Sequence, residues 1–379
     1  MSLILDEHRE YLADRHRLAV FQTAIERQVR PGDVVLDLGS GTGILGLLAC
    51  RAGAARVYAI DDGGIAGIAR EIAAANGYAD RVTVVRGHSM RVALPERVDV
   101  VVTDQIGRFG FEAGFLEYVA DARRRFLKPE GRTVPVTIAQ RLCPAEAPDI
   151  RRRIDFWRSG PAGFDFSAVA QPAASTGYPE ALPVDRLLAD PQAGGTLDPV
   201  VAAAGLDTRH EFVIRRAGRV DVIAGWFVAT LAPGVLMTNG PDAPDRINRR
   251  QVMFPLAQSV DVDEGDLVRL RMRVRPLDVV VAWDVEVVSK GTGRTLGRTR
   301  ASTVGGMLLS HEDLAQTRLD RRPRLTAAGR ARQSVLELAD GTRTLQEIEQ
   351  IVYERHPDVV DTLEDAAVFV AEVVTRYGE

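Results

Sequence analysis

Thiols are scarce in this chain: among 379 residues only Cys50 and Cys143 are cysteines. A disulfide framework or a cysteine-rich metal site needs more, so neither is expected, and a reducing, cytoplasmic setting follows. Histidine is also sparse. His8, His16, His88, His210, His311 and His356 are scattered, and no pair has the helical spacing of a zinc site. No run of about 18 apolar residues occurs and charged residues fall within the first ten, so neither a membrane span nor an export signal is expected. Positive charge shows no excess. A formal net charge of -4 argues against a general nucleic-acid binder, and the nearest basic cluster, Arg123-Arg124-Arg125 with Lys128, reads as a solvated helix face. The serine nucleophile elbow and the phosphate-binding lysine loop are missing too, so neither a serine hydrolase nor a P-loop nucleotide site is expected, and no metal is.

What the chain does have is a strand that ends in a glycine turn. Val34-Val35-Leu36-Asp37-Leu38 is a buried-strand run, and Gly39-Ser40-Gly41-Thr42-Gly43 follows it directly. Glycine suits a sharp strand-to-helix turn that a ligand approaches closely, because a Cβ would block the approach. A second apolar run, Val57 to Ile60, ends in Asp61 and Asp62, where a carboxylate can accept both hydroxyls of a ribose. Position 44 is isoleucine where the dinucleotide version of the turn would have glycine or alanine. Asp61 by itself fits NAD and S-adenosylmethionine equally well.

Four further stretches separate the two cofactors. His8 to Arg17, Gly87 to Pro95, Phe126 to Pro135, and Gly225-Trp226-Phe227 with Asn239-Gly240-Pro241 together resemble the protein arginine methyltransferases, in a bacterial form, within the class I S-adenosylmethionine-dependent methyltransferases. The resemblance covers roughly residues 4 to 300. It implies S-adenosylmethionine as cofactor, with Arg17 gripping its carboxylate, Asp37, Gly39, Ser40, Gly41 and Gly43 at the homocysteine part, Asp61 and Asp62 at the ribose, and His88, Ser89 and Met90 beside the adenine. Met90 stands where the family usually has an adenine-contacting glutamate. Asp104 is placed both beside the cofactor and, with Glu112, as the pair of carboxylates facing the methyl acceptor. A homodimer is also implied.

The acceptor loop departs from the family pattern. In Thr103 to Glu112, Asp104 replaces the first of two glutamates, Gln105 replaces a tryptophan, and the loop is one residue short before Glu112. Ile247-Asn248-Arg249 stands where the family has Thr-His-Trp. These departures weigh against arginine as the acceptor and leave two carboxylates able to orient a nitrogen or act as base. The expectation is a methyltransferase acting on a nitrogen or oxygen of a peptide or specialised metabolite. The alternatives are a guanidino N-methyltransferase of protein or free arginine, and a non-catalytic cofactor-binding scaffold.

The expected architecture is α/β. Strand runs at 34–38, 57–60, 82–85 and 98–103 alternate with helical spacing at Ile44-Leu45-Leu47-Leu48 and Ile65-Ile68-Ala69-Ile72, giving a Rossmann-like domain with an N-terminal helix over 1–139. Strands at 211–215, 220–231, 267–275 and 278–288 suggest an antiparallel barrel or sandwich, taken as a β-barrel domain over 140–310, with an inserted arm at about 158–206. Beyond an arginine-rich linker, 325–379 reads as a small helical or winged-helix unit: Asp340-Gly341 ends one helix, Thr344 with Glu347 forms a capping box for the next, and a third runs from about Leu363 to Tyr377. This unit resembles the PqqD-like domains that hold the leader of a peptide undergoing modification.

Overall fold

The computed structural model describes residues 4–199, 205–310, 313, 315, 318 and 320–377; His311 and residues 200–204 of the expected arm lie outside them. The chain forms two compact units that divide between Leu308 and Leu309.

In the first unit, β1 (Val34–Leu38), β2 (Arg56–Asp61), β3 (Val82–Arg86), β4 (Val98–Thr103) and β5 (Leu127–Val134) make a parallel sheet in the order β3-β2-β1-β4-β5. Every residue of β1 is buried, which explains its nearly unbroken apolar run. The strand order reverses between β1 and β4, where a doubly wound sheet opens a crevice beyond its carboxyl ends. Crossovers between successive strands are supplied by α3 (Ile44–Arg51), α4 (Ile65–Ala75) and α5 (Phe115–Arg125). Ahead of the sheet, α1 (Ile4–Ala13) buries nothing, whereas α2 (Arg15–Gln28) buries Phe21, Ala24, Ile25 and the side chain of Arg17.

The boundary expected at 139 falls inside a strand, because β6 (Thr137–Ala145) already belongs to the next sheet. After α6 (Pro148–Asp155) and the short α7 (Ala170–Ala173), a six-stranded antiparallel sheet is completed by β7 (Tyr178–Glu180), β8 (Gln192–Leu197), β10 (Gly218–Ala232), β11 (Val235–Thr238) and β12 (Gln251–Val262). A four-stranded sheet holds β9 (Leu206–Val213), β13 (Leu267–Arg275), β14 (Val280–Val288) and β15 (Thr295–Ser302). The antiparallel region expected after the parallel sheet is present as two sheets, with no closed barrel among the described residues. The stretch expected as an arm contains two strands. Its β7 pairs with β12 and its β8 with β6, so both are ordinary sheet members, and the rest of the stretch includes short helical turns around the exposed Phe164 and Phe166. Composition misled there because glycine and alanine in β8 mimic a linker.

The two sheets meet through aromatic packing. Trp283 of β14 lies 5.3 Å from Phe254 of β12 and donates its indole N–H to the Pro255 carbonyl at 2.8 Å. Phe254 in turn packs on Phe109, at 5.3 Å, from the loop that follows β4.

The second unit contains α8 (Ala327–Leu338), α9 (Leu345–Arg355) and α10 (Leu363–Tyr377) around a core that includes Val335, Ile348, Val352 and Val370. The capping box forms as the sequence indicates: Thr344 Oγ1 accepts from the Glu347 N–H, and Glu347 accepts from the Thr344 N–H at 2.7 Å. No strand occurs among its described residues, so it is helical without a wing.

Trp283 is fully buried and hydrogen-bonded, so Trp283→Ala both empties a large volume and orphans the Pro255 carbonyl. Urea unfolding should show a loss of about 3–5 kcal/mol in the transition of the first unit. A loss under about 1 kcal/mol would mean that the sheets do not depend on this contact.

Candidate active site

A cleft of about 1110 Å³ opens beyond the carboxyl ends of β1, β2 and β4 and is walled by α1, the start of α2 and the segment 248–250. Seven of the residues singled out in the sequence line it: Arg17, Gly39, Ser40, Gly41, Asp61, Asp104 and Glu112. Asp37 and Gly43 belong to the same strand-turn segment without lining the cleft, and Asp62, His88, Ser89 and Met90 do not line it either. The 87–90 segment follows β3, with the Gly87 N–H donated to the Asp61 carbonyl at 2.9 Å. His88 stacks edge-on to Tyr118 at 5.7 Å, Ser89 gives its carbonyl to Arg125 at 2.6 Å, and Met90 is exposed.

The glycine turn has the backbone that its sequence demands. Gly39, Gly41 and Gly43 have φ of 69°, 53° and 81°, a region that side chains disfavour. Main-chain N–H groups of Gly39 and Ser40 both bond the Ile60 carbonyl at 3.0 Å, which ties the turn to the end of β2. Asp61 spans the same junction, accepting from Gly41 N–H and Gly63 N–H at 2.8 Å each.

Two buried oxygens at this turn lack partners: Asp37 Oδ1 and Ser40 Oγ. Asp37 Oδ2 accepts the Gly46 N–H at 2.7 Å, but burial dominates and pushes the Asp37 carboxyl up to about 7, with the nearby Asp61 adding to the rise. An orphaned buried polar group carries a free-energy cost that a bound donor removes. This donor-hungry cradle, with Arg17 and Asp61 beside it, fits a cofactor that carries an amino group, a carboxylate and a ribose. In the structure Gln105 lies against Gly39 and His8 against Gly41; both contacts are made by the ends of flexible side chains.

Opposite the turn sits a charge cluster that the sequence only half disclosed. Arg17, buried in α2, donates Nε and Nη2 to Asp104 Oδ2 at 2.7 Å each. Arg249 donates to the same oxygen from the other side at 2.8 Å. Burial by itself would raise the Asp104 carboxyl, but the two guanidiniums overcome it and hold Asp104 below the ordinary carboxylate range. The pairing equally keeps Arg249 charged despite its own burial.

Several bonds fix the Asp104–Glu112 loop. Thr103 Oγ1 reaches the Leu38 carbonyl at 2.8 Å, Gln140 donates to the Phe109 carbonyl at 3.0 Å, and Asn239 donates to the carbonyls of Arg108 and Arg250 at 2.9 and 3.0 Å. Gly225 in β10 makes room for Phe109, whose ring would lie 2.7 Å from any Cβ there. Glu112 turns back on its own loop and accepts the N–H groups of Arg108, Phe109 and Phe111. Asp14 caps α2 by accepting the Arg17 N–H at 2.9 Å and also accepts the Asn248 N–H at 2.7 Å. Sequence reasoning gave no role to Arg249, Asn239 or Asp14. An arginine in place of the family's aromatic, opposite an aspartate, was the available signal for Arg249.

The order of the parallel sheet and a glycine turn facing a charged cleft define a doubly wound fold with the cradle of a nucleoside-type cofactor at its switch point. Residues 19–137 match the family model described as Ribosomal protein L11 methyltransferase (PrmA). The chain is 30% identical over 276 residues to an Arginine N(omega)-methyltransferase from Streptomyces achromogenes subsp. streptozoticus, a match covering 70% of this chain and 75% of that one. It is also 30% identical over 285 residues to a Probable protein arginine N-methyltransferase 6 from Arabidopsis thaliana, covering 72% of this chain and 63% of that relative. A Trypanosoma brucei PRMT1 enzyme-prozyme heterotetrameric complex, solved with AdoHcy, superposes with a TM-score of 0.70 at 22% identity, over 78% of this chain and 97% of that one. The chain belongs to the arginine N-methyltransferase family of S-adenosylmethionine-dependent methyltransferases.

The raised Asp37 carboxyl generates a pH test. A carboxyl with a folded-state pKa above its unfolded value contributes stability below about pH 4 that is lost as pH rises through about 7. Asp37→Asn removes that dependence. Relative to the parent, the variant should therefore gain stability progressively between pH 4 and 7, by roughly 2–4 kcal/mol in total, read from urea midpoints. Parallel pH profiles for the two proteins would show that Asp37 is ionised throughout.

Proposed function

We propose that this chain transfers a methyl group from S-adenosylmethionine to a nitrogen or oxygen of a peptide or specialised metabolite, and that the cleft between Gly39 and Asp104 is where it does so. The observation that carries the reading is the pair of partnerless buried oxygens, Asp37 Oδ1 and Ser40 Oγ, at a glycine turn that shares one cleft with Arg17, Asp61 and Asp104. When bound, S-adenosylmethionine supplies a sulfonium methyl that reacts with a lone pair in line with the departing sulfur. The protein's part is positioning, which can account for much of such a rate. Asp61 would take the ribose hydroxyls, Asp37 the amino group and Arg17 the carboxylate, and the nucleoside would extend past the lining of the cleft towards Asp62, His88, Ser89 and Met90. Asp104 and Glu112, the two carboxylates of the loop after β4, would stand on the acceptor side of the cleft. The relatives' names favour a second reading, in which the acceptor is a guanidinium of arginine.

The setting proposed is a bacterial cytoplasm, in keeping with two buried free cysteines and with the absence, among the described residues, of a helix long and apolar enough to cross a membrane. The second unit is proposed to hold a peptide substrate, as PqqD-like domains do. It offers a shallow groove lined by Arg343, Gln346, Glu347, Gln350, Ile351 and Leu363. Two copies of the chain are proposed to pair through Phe156, Phe164 and Phe166, three large apolar side chains that stand in solvent, Phe164 at 69% exposure.

Calorimetry with S-adenosylhomocysteine tests the cofactor assignment. The parent should bind it, and Asp61→Ala should bind at least tenfold more weakly, as expected for loss of a charge-assisted hydrogen bond worth about 1.5–3 kcal/mol. Unchanged affinity, or binding of NAD in its place, refutes it. For the dimer, sedimentation equilibrium should give twice the chain mass for the parent and the single-chain mass for Phe164→Asp. A monomeric parent removes the pairing.

A further inference from the structure

Arg249 occupies the position on Asp104 that an acceptor cation would need. Its guanidinium is buried, donates to Asp104 Oδ2 at 2.8 Å and to the Gly107 carbonyl at 3.1 Å, and lies 5.8 and 5.9 Å from the ring centres of Tyr11 and Phe227. Arg17 takes the other side of the same carboxylate oxygen. The second acid is already largely engaged, since Glu112 accepts three main-chain N–H groups of its own loop. An incoming guanidinium needs free carboxylate oxygens to fix its orientation. Here it would have to expel a group of its own charge and shape, leaving that group buried and uncompensated.

We propose that Arg249 is the acceptor-selecting residue: by pairing with Asp104 in cis it makes the site refuse cationic acceptors and take a nucleophile that is neutral at its reacting nitrogen or oxygen. The inference rests on the reading that this cleft transfers a methyl group, and it names the acceptor class. A neutral nucleophile gives its lone pair to the methyl carbon as the carbon–sulfur bond breaks, the bonding electrons stay on sulfur, and the alkylated atom then releases its proton to water in the open cleft. Asp104 needs no proton exchange in this scheme. Its role is to hold Arg17 and Arg249, and theirs is to neutralise it.

The test uses the full chain and three variants, Arg249→Gln, Arg249→Met and Arg249→Lys. S-adenosylhomocysteine affinity is measured first, by calorimetry, and L-arginine is then titrated into the saturated proteins. Both uncharged variants should bind L-arginine at least tenfold more tightly than the parent, whereas Arg249→Lys, which keeps the cation, should resemble the parent. Guanidinium chloride at low millimolar concentration should raise the melting temperature of the uncharged variants and not that of the parent, because the ion refills the vacated place. The proposal is overturned if the parent binds or methylates L-arginine or an arginine peptide as well as the uncharged variants do. It is equally overturned if a folded Gln or Met variant that binds S-adenosylhomocysteine gains neither arginine affinity nor a guanidinium-dependent shift. Failure of the parent to bind S-adenosylhomocysteine counts against the methyl-transfer reading alone, since the guanidinium shift still reports on Arg249.

Discussion

The buried Arg17–Asp104–Arg249 cluster is the constraint on which the cleft depends. It joins α2, the end of β4 and the segment leading into β12, three elements far apart in sequence. Charges removed from water are stable only when paired and hydrogen-bonded, so none of the three can move without cost to the other two. Asp14 reinforces the junction by capping α2 and binding the Asn248 N–H, and Asn239 fastens the loop carrying Asp104 to residue 250. The site is thus shaped by charge pairing across the sheets' boundary, with Phe109 wedged beneath it as the apolar anchor.

The two halves of the cleft differ in how completely their polar groups are satisfied. Around Asp104 and Glu112 the carboxylates are engaged within the protein. Around the glycine turn, Asp37 and Ser40 keep oxygens without partners. Unmet acceptor capacity is therefore left where the proposed cofactor's amino group would lie, whereas the proposed acceptor side already holds two cations of its own. Membership of the arginine N-methyltransferase family and this arrangement are compatible. Fold and cofactor cradle are properties of the parallel sheet, whereas acceptor choice is set by a few side chains on loops.

Local chemistry made the parallel sheet legible in the sequence. Val34–Leu38 had to be a doubly covered strand, the glycines after it had to turn, and Thr344 with Glu347 had to start a helix. The antiparallel region was harder to read. The strands β10, β13 and β14 were read from their apolar runs, but in β8 Gly194 and Gly195 gave no alternation. Closure into a barrel depends on pairing between distant strands, and no local pattern encodes it. In the site, Asp104 and Glu112 were visible as acids on a loop. Their partners were not read: Arg249 lies 145 residues from Asp104 and only its place in the family's aromatic position hinted at the pairing, and Glu112 meets N–H groups one to four residues before it through a loop conformation that residue type does not encode.

The most direct test is a crystal structure of the full chain with S-adenosylhomocysteine. The account predicts ribose hydroxyls on Asp61, the homocysteine carboxylate on Arg17, the amino group near Asp37 Oδ1, the side chains of Gln105 and His8 turned off the glycines, and Arg249 still paired with Asp104. A ligand bound elsewhere, or Arg249 turned out to solvent with Asp104 bare and facing the sulfur, would contradict it.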